Sequence, residues 1–269
     1  MSRFRNTDFI TDVLAGRYAG HSIVQKFGYN PDVDTTSDPE TIWGGATALY
    51  PWPAAAEAVL VTTGGSAEDD YNKPNGVGAY SIRVFGLDAS YDEVDEEIRL
   101  NGASVSSDTS QAFLRLHRAY VTSAGTALGN AGGITIVNTT TGAIMAEISA
   151  LNQVNQTTQC AYTIPNNKRG IILNVMATVS DAVGNNGGVM ALMTRDPAEN
   201  TGLTLNTGAN EPVFRARATW GIRAGSSPDF QANVAVPEHT DIEVRCLEVT
   251  NSNTAIAAQM TILLIDDGY

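Results

Sequence analysis

Short apolar runs, each bounded by Gly, Pro, Asn, Ser or Thr, recur along this chain at intervals of roughly 8 to 15 residues, and no helical period survives past about residue 30. A chain patterned this way has few options. Strands of that length bury one face each, so they pair into antiparallel sheets that must stack as sandwiches or close as barrels. The run 94–100 shows the alternation: Val94, Glu96, Ile98 and Leu100 fall on one face, Asp95, Glu97 and Arg99 on the other.

The runs fall into two groups. The first occupies residues 58–63, 79–87, 94–100, 113–122, 134–138 and 143–148, with Asn101-Gly102 as a turn and the Thr-rich 139–142 as a hairpin link. A polar joint, 151–158, leads to the second group at 159–164, 169–180, 188–195, 211–222, 231–236, 242–250 and 255–266. Its near-continuous apolar runs GIILNVMATV and MTILLI suit the middle of packed sheets. The expected fold is all-β. One antiparallel sandwich spans residues 54–150, and a second, of jelly-roll or immunoglobulin-like size, spans 151–269.

Residues 1–53 break this rhythm. The first dozen fit a short amphipathic helix through Phe4, Phe9, Ile10, Val13 and Leu14, but after Gly28 the chain is interrupted by Pro31, Pro39, Gly44, Gly45, Pro51 and Pro53. Such a segment cannot build its own core, yet it holds two of the three Trp residues. Large apolar rings on an extended chain dock onto something else. The segment is therefore predicted to be an anchoring arm, ordered against a neighbouring subunit or against the body of its own domain. Its contact residues would be Phe27, Tyr29, Ile42, Trp43, Tyr50 and Trp52.

Composition narrows the function classes. The formal net charge is −13 and there are only three Lys residues, so neither nucleic-acid backbones nor anionic membranes are expected partners. The opening MSRFRNTDFI lacks the apolar core of a signal peptide, and no run is long and apolar enough to span a bilayer. Cys160 and Cys246 lie in apolar strand-like runs without CxxC or Cys/His spacing, which reads as buried free thiols, with a disulfide not required.

Catalytic patterns are missing. His21, His117 and His239 lie far apart in sequence, and His117, inside FLRLHRAYV, reads as a strand-surface or packed imidazole. No nucleophile elbow, phosphate loop, dinucleotide fingerprint or zinc motif occurs, so the expectation is no enzyme, no cofactor and no metal. The acidic stretch 88–97, with Asp69 and Asp70 upstream, fits a solvated hairpin tip better than a calcium loop, which needs a set ligand spacing and a fixed glycine. Arg215, Arg217, Trp220 and Arg223 form a candidate basic–aromatic patch for a glycan or an acidic partner, against the simpler reading of an outward strand face salt-bridged to the chain's own acids.

The run GRYAGHSIVQKFGYNPDVDTTSDPETIWGG resembles a segment of a family of structural proteins of tailed bacteriophages. FGLDASYDEVDEEIRLNGASV and FLRLHRAYVTSAGTALGNAGGITI look like that family's first β domain, and YTIPNNKRGIILNVMATV like the opening of its second. The resemblance covers most of residues 10–180. The stretch Ile42-Trp43-Gly44-Gly45-Ala46 departs from the family's usual aromatic–glycine exit. The resemblance implies a virion protein without catalytic residues, assembled in a bacterial cytoplasm and attached through its arm to the head or the tail. Partners would be capsid, portal or adaptor, or tail subunits and further copies of itself. A glycan-binding receptor-recognition module is the alternative reading.

Overall fold

The structure, a computed structural model, describes residues 9–35, 39–45, 49–150, 154–179, 186–196, 213–224 and 229–268. After helix α1 (Phe9–Leu14) the described elements are all strands: β1 (His21–Val33), β2 (Glu40–Thr41), β3 (Val59–Thr62), β4 (Ala79–Leu87), β5 (Glu93–Arg99), β6 (Arg115–Ala124), β7 (Ile134–Asn138), β8 (Ile144–Ile148), β9 (Ala161–Thr163), β10 (Lys168–Val179), β11 (Gly187–Arg195), β12 (Arg215–Arg223), β13 (Asp229–Val236), β14 (Asp241–Val249) and β15 (Thr254–Asp266). Every pairing between them is antiparallel.

Two sheets form the larger sandwich, ordered β1-β15-β10-β13 and β12-β11-β14-β2, with β9 also on β14. β2 and β9 occupy a single strand position. Glu40 and Thr41 oppose Cys246 and Arg245, Ile42 N–H donates to the Val244 carbonyl at 2.9 Å, and Ala161, Tyr162 and Thr163 then oppose Glu243, Ile242 and Asp241 without a gap. Counted that way, eight strand positions run 1-8-3-6 in one sheet and 2-7-4-5 in the other. That is the jelly-roll order. Its core fills with alternate residues of both sheets, among them Ile172, Val175, Met190, Leu192, Ile242, Val244, Met260 and Ile262.

The second strand of the jelly roll is thus interrupted, and residues 43–160 leave the sheet and return to it. Within them, β3-β7-β8 and β5-β4-β6 form a smaller sandwich around Val59, Val61, Ile82, Val84, Phe113, Leu116, Ile134, Ile136, Met145 and Ile148. Gly28 marks where β1 passes the point of departure. A Cβ there would lie 2.0 Å from the Ile42 carbonyl oxygen and 2.6 Å from the Cys160 nitrogen, so no other residue fits.

From β3 onward strand positions follow the sequence reading closely, whereas β1 and β2 fall in the segment read as an arm; the 139–142 hairpin forms with Asn138 Oδ1 accepting from the Thr140 and Thr141 amides and Gly142 at φ +69°. The domain limits require correction. The small sandwich lies inside the other rather than before it, because β1 pairs over its length with β15, the last strand. For the same reason the described residues between 21 and 45 are no free-standing arm. Of the two settings expected for that segment, the described residues take the second: it completes the body of its own domain.

Candidate functional site

Most of the converging chemistry among the described residues lies where the small sandwich meets the jelly roll. The outer face of the β14 sheet presents Asp241, Glu243 and Arg245, whose sequence neighbours Ile242, Val244 and Cys246 point into the core. Arg115, from the start of β6, reaches across to this face and grips Asp241 with both arms of its guanidinium, Nε at 2.9 Å and Nη2 at 3.0 Å. Arg195 of β11 donates to the same carboxylate at 2.9 and 2.6 Å, and the Thr163 hydroxyl donates at 2.6 Å. Asp241 is 1% exposed and Arg115 4%, so five hydrogen bonds hold a charge that water does not reach.

Beside it, Glu243 accepts from the Thr41 hydroxyl at 2.5 Å and from Arg245 Nε at 2.6 Å. Burial pushes its carboxyl above the ordinary range, and Arg245 pulls the other way. An aromatic row seals the cluster. Trp43, Tyr50, Trp52 and Phe214 follow one another with ring centres 5.2, 4.8 and 5.4 Å apart. The guanidiniums of Arg115 and Arg195 lie 5.3 and 5.5 Å from the Trp52 ring, and that of Arg245 4.5 Å from Phe214.

Three consecutive residues of β6 fasten the joint. Arg115 Nη1 also donates to the Pro53 carbonyl at 2.6 Å, Gln159 Nε2 donates to the Leu116 carbonyl at 2.6 Å, and His117 Nε2 accepts the Thr163 amide at 3.3 Å. The His117 and Tyr162 ring centres lie 4.2 Å apart with the planes tilted by 35°, and the Lys26 ammonium donates to the His117 carbonyl. Burial, with Lys26 and Arg115 nearby, drives the His117 pKa well below the imidazole value of 6.5, so the ring is neutral and free to accept. Burial likewise lowers Lys26 to about 7.

Chemically this is a fastening. The void beside Arg115 and His117, walled by Tyr50, Trp52, Tyr162 and Thr163, is too small to admit a water molecule.

The predicted contact residues divide. Ile42 is fully buried in the jelly-roll core, and Trp43 and Tyr50, 2% and 3% exposed, are buried in the joint with Trp52 half-buried beside them. Ile42, Trp43 and Tyr50 are therefore not available to a neighbour: the jelly-roll core covers the first and the joint covers the other two. Phe27 and Tyr29 remain exposed on β1 at 38% and 40%. The patch at β12 does not form. Trp220 packs against the core, Arg217 Nε donates to the Thr194 hydroxyl at 2.6 Å, and a register shift between Ala216 and Ala218 breaks the alternation that would align Arg215 and Arg217 with Arg223.

Sequence reading missed Arg115, Arg195, Phe214, Asp241, Glu243 and Arg245. The available signal was the charged triplet in DIEVRCLEV, alternating with apolar residues. His117 is packed as one reading had it, and both cysteines are buried and free. Among the described residues no group of three or more His, Cys, Asp or Glu is placed to hold a metal. Asp69 is consumed by the backbone amides of Ala79, Ala131 and Gly132 at 2.7 to 2.8 Å.

No family model and no curated protein matches the chain. Among solved structures, the infectious bursal virus derived T=1 particle is 10% identical, with 93% of this chain and 70% of that chain covered and a TM-score of 0.26. The infectious bursal disease virus VP2 subviral particle gives 10% identity, 92% and 72% coverage and the same TM-score of 0.26. Likeness at this level carries no weight for function.

Proposed function

We propose that this chain is a non-enzymatic structural protein of a virion, built into a tailed-phage particle as a head-decoration or minor capsid subunit or as a tail or fibre-attachment component. The observation that carries the reading is the joint. Ionisable and aromatic side chains converge where one sandwich meets the other, with Asp241 and Arg115 buried at the centre of the joint. That is what a subunit under mechanical stress in a particle requires. Catalysis would need the same groups open to a substrate.

The jelly-roll order is compatible with this role, since capsid domains use it, but lectins and cupins use it as well. The sequence resemblance supplies the tailed-phage setting. Within the particle, contacts repeated by symmetry would make modest interfaces durable, with other virion proteins and further copies of the chain as partners. Phe27 and Tyr29 are the predicted contact residues left available for them.

Mass spectrometry of density-gradient-purified particles tests the reading. The chain should appear at a fixed ratio to the major capsid protein. Its absence from particles, with abundant chain in the soluble lysate, would sink it.

A further inference from the structure

A groove of about 650 Å³ runs between β1 and the small sandwich, on the open side of the joint. One wall is the edge of β1 itself, since β1 is the terminal strand of its sheet. The phase of its hydrogen bonding is fixed by the Asp266 amide, which donates to the Gly20 carbonyl at 2.8 Å. In the unbroken register from His21↔Ile265 to Asn30↔Ile256, even-numbered residues of β1 therefore bond to β15. Ile23, Gln25 and Phe27 direct their N–H and C=O groups the other way, into the groove.

The opposite wall bears Arg118 and Gln156, joined at 2.6 Å, and Lys26 reaches it from below. Leu14, 67% exposed, and Phe27 give the rim apolar surface. None of the residues lining the groove is an Asp or Glu, in a chain with 29 acidic against 16 basic residues.

We propose that this groove receives an extended, acidic segment of a partner protein chain, which adds to β1 as a fifth strand of the jelly-roll sheet. Backbone groups of Ile23, Gln25 and Phe27 supply the ladder, and the exposed Arg118 selects carboxylate-bearing side chains, while Lys26 stays buried on the His117 carbonyl. An edge of this kind, unpaired and only lightly guarded, otherwise invites indiscriminate pairing. The positive wall supplies the selectivity. The inference stands on the groove and does not depend on the chain's belonging to a virion.

The test uses the full chain and a blocked eight-residue peptide that alternates valine with glutamate and threonine, followed by fluorescence anisotropy. The expected affinity is micromolar, at least tenfold above that of a lysine-for-glutamate peptide. Amide exchange should slow at Ile23, Gln25 and Phe27 while their even-numbered neighbours stay unchanged. Gln25→Pro removes an N–H that the fold does not use, so binding should vanish while the unfolding midpoint holds. Arg118→Glu, at an exposed position, should reverse the peptide preference and covers the case in which the proline variant misfolds. No binding, equal binding of both peptides, or unaltered exchange at the three odd positions would overturn the proposal. A self-association abolished by Gln25→Pro would also overturn it, by making a second copy the occupant.

Discussion

Two sheet faces in this protein carry the same pattern in sequence and opposite physics in the fold. On β14, Asp241, Glu243 and Arg245 alternate with core residues; on β5, Glu93, Asp95, Glu97 and Arg99 alternate in the same way. The β5 face meets solvent. Its Arg83–Asp95 pair is exposed at both ends, and Phe85 and Tyr120 stack at 5.4 Å between the guanidiniums of Arg83 and Arg118. The β14 face is covered by β6 and the aromatic row, and its charges are dry. Alternation reports that a strand has two faces. It does not report whether the polar face ends in water or against another domain, where unpaired charge costs several kcal/mol.

The sharpest way to break this comparison is Asp241→Ala. It removes the buried carboxylate that Arg115 and Arg195 share and should cost about 3 to 5 kcal/mol by chemical denaturation. A loss no larger than that of a surface substitution would mean that the joint is hydrated.

Trp43→Ala comes next, removing the first ring of the row at a position 2% exposed. It should cost about 3 to 5 kcal/mol. Loss of particle assembly by a Trp43 variant would therefore report unfolding, whereas Phe27→Ala and Tyr29→Ala should leave the midpoint nearly unchanged and test contact with a neighbour.

His117 gives a pH-dependent effect of intermediate size. Its native pKa lies below the ordinary 6.5, so as pH falls the unfolded chain binds the proton first. The neutral ring's contribution is complete above 6.5 and is lost as pH drops below it. Glu243, raised by burial, works in the opposite direction over its own range. Unfolding midpoints between about pH 7 and pH 5 should decline in the wild type and decline less in His117→Gln. Equal slopes would remove His117 from the joint's energetics.

The smallest effect belongs to the wet face. Arg83→Ala should leave the midpoint unresolved from wild type at about 0.15 M salt, where exposed pairs are screened. A clear loss there would mean that the β5 face is covered in the working assembly.

Much of the secondary structure was legible. The runs at 79–87 and 134–138 coincide with β4 and β7, and most others fall within one to three residues of their strands. The segment 9–53 was harder to read. Its broken pattern correctly signalled rings in need of a surface, but the surface lay elsewhere in the same chain. Ile42 enters the jelly-roll core, while Trp43, Tyr50 and Trp52 serve the joint, and only contacts distant in sequence distinguish those fates from docking on a neighbour.

By itself, the sequence determined an all-β protein of two sandwiches, because period-two burial and turn chemistry act over a few residues and are written locally. Only the tertiary structure decided that β2 and β9 share one strand position, that one sandwich sits inside the other, and that Arg115 and Asp241 meet across 126 positions of chain. Those outcomes depend on which buried face finds which partner. No window along the chain contains that information.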